Sequence, residues 1–192
     1  MAARDYPVAL FRDQDEWTSW LDSNHATAPG VWLRIAKKGS ALVSVSISEA
    51  LDAALCYGWI DGQRNSFDAD SYLQKFTPRR KRSVWSKVNR ENVARLIRRG
   101  AMRPAGMAAI EAAKADGRWE RAYDSPRSSK VPADLQTALD ESPQAKAFFE
   151  TLKSNTRYAV LYRVQTAVKP ETRARRIREF IAMLERGETL YP

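Results

Sequence analysis

Residues 56–63 read Cys-Tyr-Gly-Trp-Ile-Asp-Gly-Gln, and residues 72–89 read Tyr-Leu-Gln-Lys-Phe-Thr-Pro-Arg-Arg-Lys-Arg-Ser-Val-Trp-Ser-Lys-Val-Asn. In this stretch the strand signals of the chain give out and the helical ones take over. Trp59-Ile60-Asp61-Gly62 reads as a strand ending in a turn, and Ser71 to Phe76 as a short strand halted by Pro78. Beyond Trp85 every periodic segment is helical. The chain is therefore expected to be α+β: a small N-terminal mixed sheet with helices, then a helical C-terminal part packed with it as one body.

Upstream, Pro7 to Phe11 reads as a short buried strand. Asp13 is placed to cap a helix carrying Trp17, Trp20 and Leu21 on one face, with Glu16 at the capping-box position. Val31 to Ala36 alternates as a half-buried strand. Ser46 or Ser48 begins a helix through Ala50, Leu51, Ala54 and Leu55, with Gly58 as its stop. Downstream, Asn89 is placed to cap a helix through Val93, Leu96 and Ile97, and Pro104 opens the next. Pro132, Pro143, Ser154 or Asn155, and Pro170 start four more. These features divide the chain into a unit at 1–85 and a helical region at 86–192, with a linker-like loop at 124–131.

The chain has 192 residues and a net charge of +9. Residues 1–85 are nearly neutral, with eleven basic and ten acidic groups. Between Arg79 and Arg103 lie ten basic residues and one acid, Glu91, so this window matches the whole excess. Such a cluster attracts polyanions or acidic surfaces. No apolar run approaches the roughly 20 residues of a membrane span, and the N-terminus lacks the apolar stretch of a secretory signal. The single cysteine, Cys56, excludes an intrachain disulfide and a multi-thiolate metal site. A cytoplasmic protein without cofactor or metal is expected.

His25, the one histidine, reads as a loop residue after a helix rather than a general base, and no multi-histidine zinc site can form. Cys56 lies near a helix C-terminus, whose dipole disfavours a thiolate, and reads as a buried small hydrophobe. Asp61 has two readings: an acid–base or ligand-orienting group, or a turn former paired with Arg64. Asp68 and Asp70 read as turn formers. Gly58 and Gly62 punctuate the backbone and do not make a phosphate loop. Arg79-Arg80-Lys81-Arg82, flanked by Phe76 and Trp85, suits phosphate contact and base stacking, or is a solvated surface. Arg173, Arg175, Arg176 and Arg178 face away from the apolar stripe Ile177, Phe180, Ile181 and Leu184, as the outer face of a packed helix.

Several segments resemble the YdeI/OmpD-associated, or bacteriocin-protection, family. They are Glu49-Ala50-Leu51-Asp52 with Cys56 to Gly62; Tyr72 with Phe76 to Arg80; Ser83 to Lys87 with Asn89; Gly106 with Glu111 to Trp119; and Lys169 to Arg173 with Arg175, Arg176 and Ile177. The resemblance runs from about residue 8 to 187. It implies a bacterial protein linked to tolerance of bacteriocins or cationic antimicrobial peptides; the chain is expected to be a stress-protection or binding protein of unknown ligand rather than an enzyme. Its working surface is expected to centre on Asp61, Gln63, Arg79, Arg80, Trp85, Lys87 and Asn89. There the arginines supply charge, Trp85 a stacking face, and Asp61, Gln63 and Asn89 hydrogen bonds. The expected partner is an anionic ligand or an acidic protein surface. Two alternatives stay open: nucleic-acid binding through residues 79–103, and a small-molecule enzyme using Asp61.

Overall fold

The computed structural model describes residues 5–190, which hold four strands and eight helices. The α+β class is as expected. Among the described residues, those within Met1–Ser83 and Asn89–Glu120 form one compact unit, and those within Val84–Val88 and Arg121–Pro192 form another.

The first unit is built on a four-stranded sheet. Its strands are β1 (Val8–Ala9), β2 (Val31–Ala36), β3 (Trp59–Ser66) and β4 (Ser71–Pro78), in the order β1-β2-β4-β3. β1 runs parallel to β2, while β2–β4 and β4–β3 are antiparallel. The helices are α1 (Gln14–Asn24), α2 (Ile47–Cys56), α3 (Lys87–Arg98) and α4 (Pro104–Ala115). As the sequence predicts, the Asp13 carboxylate accepts from the Glu16 N–H and starts α1. At α2, Ser46 and Glu49 form a full capping box, which satisfies backbone donors that the first turn would otherwise leave open. Trp17, Trp59 and Phe76 pack as a ring cluster in the core. Both buried indoles are satisfied, Trp17 donating to the Ala50 carbonyl and Trp59 to that of His25.

α3 starts two residues before Asn89, which lies inside the helix and is buried rather than capping it. Ile97, expected inward, is 44% exposed. α4 meets the end of α2 at Gly106, where a Cβ would overlap the Cys56 carbonyl. Arg103 donates its backbone N–H to that same oxygen. These contacts hold α4 against the C-terminal end of α2.

The second unit contains α5 (Ala133–Glu141), α6 (Pro143–Thr151), α7 (Ser154–Gln165) and α8 (Pro170–Glu185). Leu135, Leu139, Phe149, Val164, Phe180 and Leu184 are central to its core. The segment 84–88 joins it through backbone bonds: Tyr123 N–H to the Trp85 carbonyl, and Lys87 N–H to that of Tyr123. Arg173 clamps α8 to α5, both arms of its guanidinium reaching the Asp134 carboxylate.

Candidate functional site

β3 does not end at Asp61-Gly62, as the sequence suggests, but continues to Ser66 past a bulge between Asp61 and Arg64. A bulge leaves carbonyls outside the ladder. Here Gln74 of β4 supplies the missing donor, its Nε2 lying 2.9 Å from the Gly62 oxygen and 3.4 Å from that of Gln63. Gln74 is only 3% exposed, and the Arg64 Nε donates to its Oε1. The Arg64 guanidinium also lies over the Tyr72 ring, 4.3 Å from its centroid. The hairpin closes on Asp68, whose carboxylate accepts from the Asp70 and Ser71 N–H groups and the Ser71 hydroxyl. This is the turn role expected of Asp68.

Asp61 is half-buried opposite Phe76, at the start of the bulge. Burial raises its carboxyl above the ordinary carboxylate value, against the smaller opposing pull of its own backbone, Arg79 and Arg64. Arg79 follows β4 directly, its backbone N–H bonded to the Gly58 carbonyl at 2.9 Å, and its Nε and Nη2 atoms are buried. The strand ends thus bring Asp61, Arg64, Gln74 and Arg79 into one polar cluster. Gln63 sits at its exposed side, in the bulge.

The chain then makes a tight turn. Ser83 N–H donates to the Arg80 carbonyl, and Arg80 N–H to the Ser83 hydroxyl. From inside the unit, Arg118 holds the Ser83 carbonyl through Nη1. Arg80, Lys81 and Arg82 are exposed on this turn, and among the described residues none of their side chains has an ion-pair partner.

Trp85 and Lys87 belong to the second unit. Trp85 is 1% exposed, so it presents no face on which a base could stack. Its backbone carbonyl accepts from the Tyr123 N–H. Lys87 is committed to Asp124, with Nζ 2.7 Å from Oδ1. The candidate residues therefore divide into a cluster of Asp61, Gln63 and Arg79, the exposed Arg80 beyond it, and three whose burial or pairing serves the fold: Trp85, Lys87 and Asn89.

Other basic residues of the 79–103 window are also in structural use. Arg95 pairs with Asp52, Arg90 donates to the Trp119 carbonyl beside its ring, and Arg103 reaches the Tyr57 hydroxyl. That hydroxyl in turn donates to Asp22. His25 caps the C-terminus of α1, its ring against Tyr57. Cys56 is buried, and desolvation pushes its thiol up to about 11, as expected for an inert cysteine. Gln74 is the cluster member the sequence reading leaves out. Its signal is a polar residue at a position flanked by buried Leu73 and Phe76 within a strand. Among the described residues no group of three or more His, Cys, Asp or Glu side chains could hold a metal, and no helix is long and apolar enough to cross a membrane.

Two family models match the chain. One, described as a domain of unknown function (DUF8412), covers residues 9–109, just over half of the sequence. The other, described as bacteriocin-protection, YdeI or OmpD-associated, covers residues 128–187 and bears out the resemblance seen in the sequence. No curated protein and no solved structure matches. The chain thus belongs to the family of the domain of unknown function DUF8412 and carries a YdeI/OmpD-associated domain at its C-terminal end.

Proposed function

We propose that this YdeI/OmpD-associated protein is a non-enzymatic binding protein with a protective role in stress, and that it docks an acidic partner surface on the turn at 80–82. The observation that carries this reading is the turn itself: three adjacent exposed cations without an ion-pair partner among the described residues, on a backbone held by Ser83 and Arg118. Like charges close together repel, so an unpaired cluster on a rigid turn lowers stability and gains its value from an outside anion. Arg98 and Arg99, exposed at the end of α3, add to the positive field of this unit. A cationic surface repels cationic antimicrobial peptides, so protection would act through an acidic partner and not through capture of the peptide.

The test uses the triple variant Arg80→Ala/Lys81→Ala/Arg82→Ala. Binding to a poly-glutamate probe is followed by fluorescence anisotropy across a salt series, and survival under bacteriocin or cationic-peptide challenge is scored in cells. Loss of both binding and protection, with an unchanged melting temperature, supports the reading. Full protection by the triple variant refutes it. Retention of DNA or RNA in low-salt gel shifts, with no poly-glutamate binding, would move the assignment to nucleic acid.

A further inference from the structure

A cleft of about 480 Å³ opens in the second unit, where the C-terminal end of α7 meets α8 and the residues after it. Four arginines line it: Arg163 from α7, Arg175 and Arg176 from α8, and Arg186 just beyond. One acid, Glu179, lines it with them. Its apolar surface comes from Tyr162, Phe180, Met183 and Leu190.

Three of these arginines, Arg175, Arg176 and Arg186, are positioned without being used up. Arg176 donates through Nη1 to the Arg163 carbonyl. Arg186 donates through Nη1 to the Ala182 carbonyl and pairs through Nη2 with Glu188. Arg175 lies 3.9 Å from Glu179, at the limit of an ion pair, and its side chain is 63% exposed. A guanidinium has five N–H donors, so a bond through one or two nitrogens leaves donors over for a ligand. Arg173, on the same helix, shows the alternative. It gives both arms to Asp134 and a further bond to the Val164 carbonyl, which is the pattern of a structural arginine.

We propose that this cleft binds a phosphate group carried by a small molecule of nucleotide size whose remainder is apolar or aromatic. Several guanidiniums around one space repel one another until an anion lies between them. A phosphate, with up to two negative charges and three acceptor oxygens, satisfies more of them than a single carboxylate. The volume falls in the range of small-molecule sites, and rings beside a cationic rim suit a ligand with an apolar body and a charged end. The phosphate could come from a free nucleotide or from a lipid headgroup, and both present the same chemistry to the cleft.

The experiment takes the full chain and three probes: ATP, inorganic pyrophosphate, and vesicles of phosphatidylglycerol in phosphatidylcholine. Calorimetry and vesicle sedimentation at low salt compare the parent chain with Arg175→Ala/Arg176→Ala, with Arg186→Ala, and with the 80–82 triple variant. Arg186 makes surface contacts only, so its variant keeps the test valid if the double variant misfolds. The expected result is ATP binding with Kd below about 1 mM, tighter than pyrophosphate. It should weaken roughly tenfold in the cleft variants, the scale of a lost charge-assisted hydrogen bond. Binding lost in the 80–82 variant and kept in the cleft variants would place the phosphate on the turn and overturn the cleft. Binding of the vesicles alone, lost in the same cleft variants, assigns the phosphate to a lipid headgroup and upholds the site. Binding that survives the cleft variants, or no binding of any probe at 1 mM, overturns it.

Discussion

A buried glutamine must have its amide satisfied, or it costs more than an apolar residue would. Gln74 meets that demand by donating to the two carbonyls of the β3 bulge and accepting from Arg64. Gln74→Leu keeps the bulk and removes the donors, leaving the Gly62 oxygen unbonded. A loss of about 1–3 kcal/mol in urea unfolding is expected, on the scale of one unsatisfied buried polar group. Asp61 makes a pH-dependent contribution. Burial holds its folded value above that of the unfolded chain, so the stability it contributes is greatest below about pH 4 and is lost as pH rises through the raised value. Asp61→Asn mimics the protonated form. Its melting temperature relative to the parent should be higher at pH 7 than at pH 3.5, and the opposite trend would refute the assignment. Cys56 should resist iodoacetamide in the native protein at pH 8 and react once the chain is unfolded in urea, because its thiol stays protonated well above that pH.

Among the elements, β3 shows where sequence signals mislead. Gly62, Asn65 and Ser66 look like turn residues, and none of them is buried. Asn65 and Ser66 are held by pairing with β4, Gly62 by the Gln74 amide, and Arg64 lies on Tyr72; none of these leaves a hydrophobic pattern to read. α1 was legible because a ring stripe records burial directly in the sequence, and β2 as an apolar run, although Val31, Trp32 and Leu33 are all buried where alternation would expose one. Asp61 and Arg79 could be singled out as polar residues beside turn signals, Gly62 and Pro78. Their neighbour Gln74 could not, since its role depends on a bulge in another strand. α4 adds a test of close packing. Gly106→Ala would force a methyl group onto the Cys56 carbonyl, with the Met102 side chain crowding it as well. The cost should be about 1–3 kcal/mol or more, read as a lowered denaturation midpoint, because backbone on the facing side cannot move aside as a flexible side chain would.

At the scale of the molecule, composition records the charge but not its use. Ten basic residues in the 79–103 window look alike in sequence. In the fold Arg90, Arg95 and Arg103 are held by Trp119, Asp52 and Tyr57, while Arg80, Lys81 and Arg82 face solvent. Which of them meets a counter-charge depends on partners far along the chain, so spacing alone could not sort them. Trp85 makes the same point, as an aromatic beside a basic run that is buried and grouped with the second unit. Trp85→Ala should cost about 3–5 kcal/mol. Hydrogen exchange should then speed up mainly within residues 121–190; faster exchange confined to residues 5–83 would contradict its assignment to that unit.

The excursion at 84–88 has a consequence for how this protein could be recombined. The chain leaves the first unit after Ser83, contributes five residues to the second, returns at Asn89 and departs again after Glu120. No single crossover point yields both units whole. A gene fusion joined at residue 120 would carry the C-terminal helices without Trp85 and the segment that Tyr123 bonds to. A fusion joined at residue 83 would strip residues 89–120 from the first unit. Neither half can be shuffled as a cassette, so the two are expected to be inherited together.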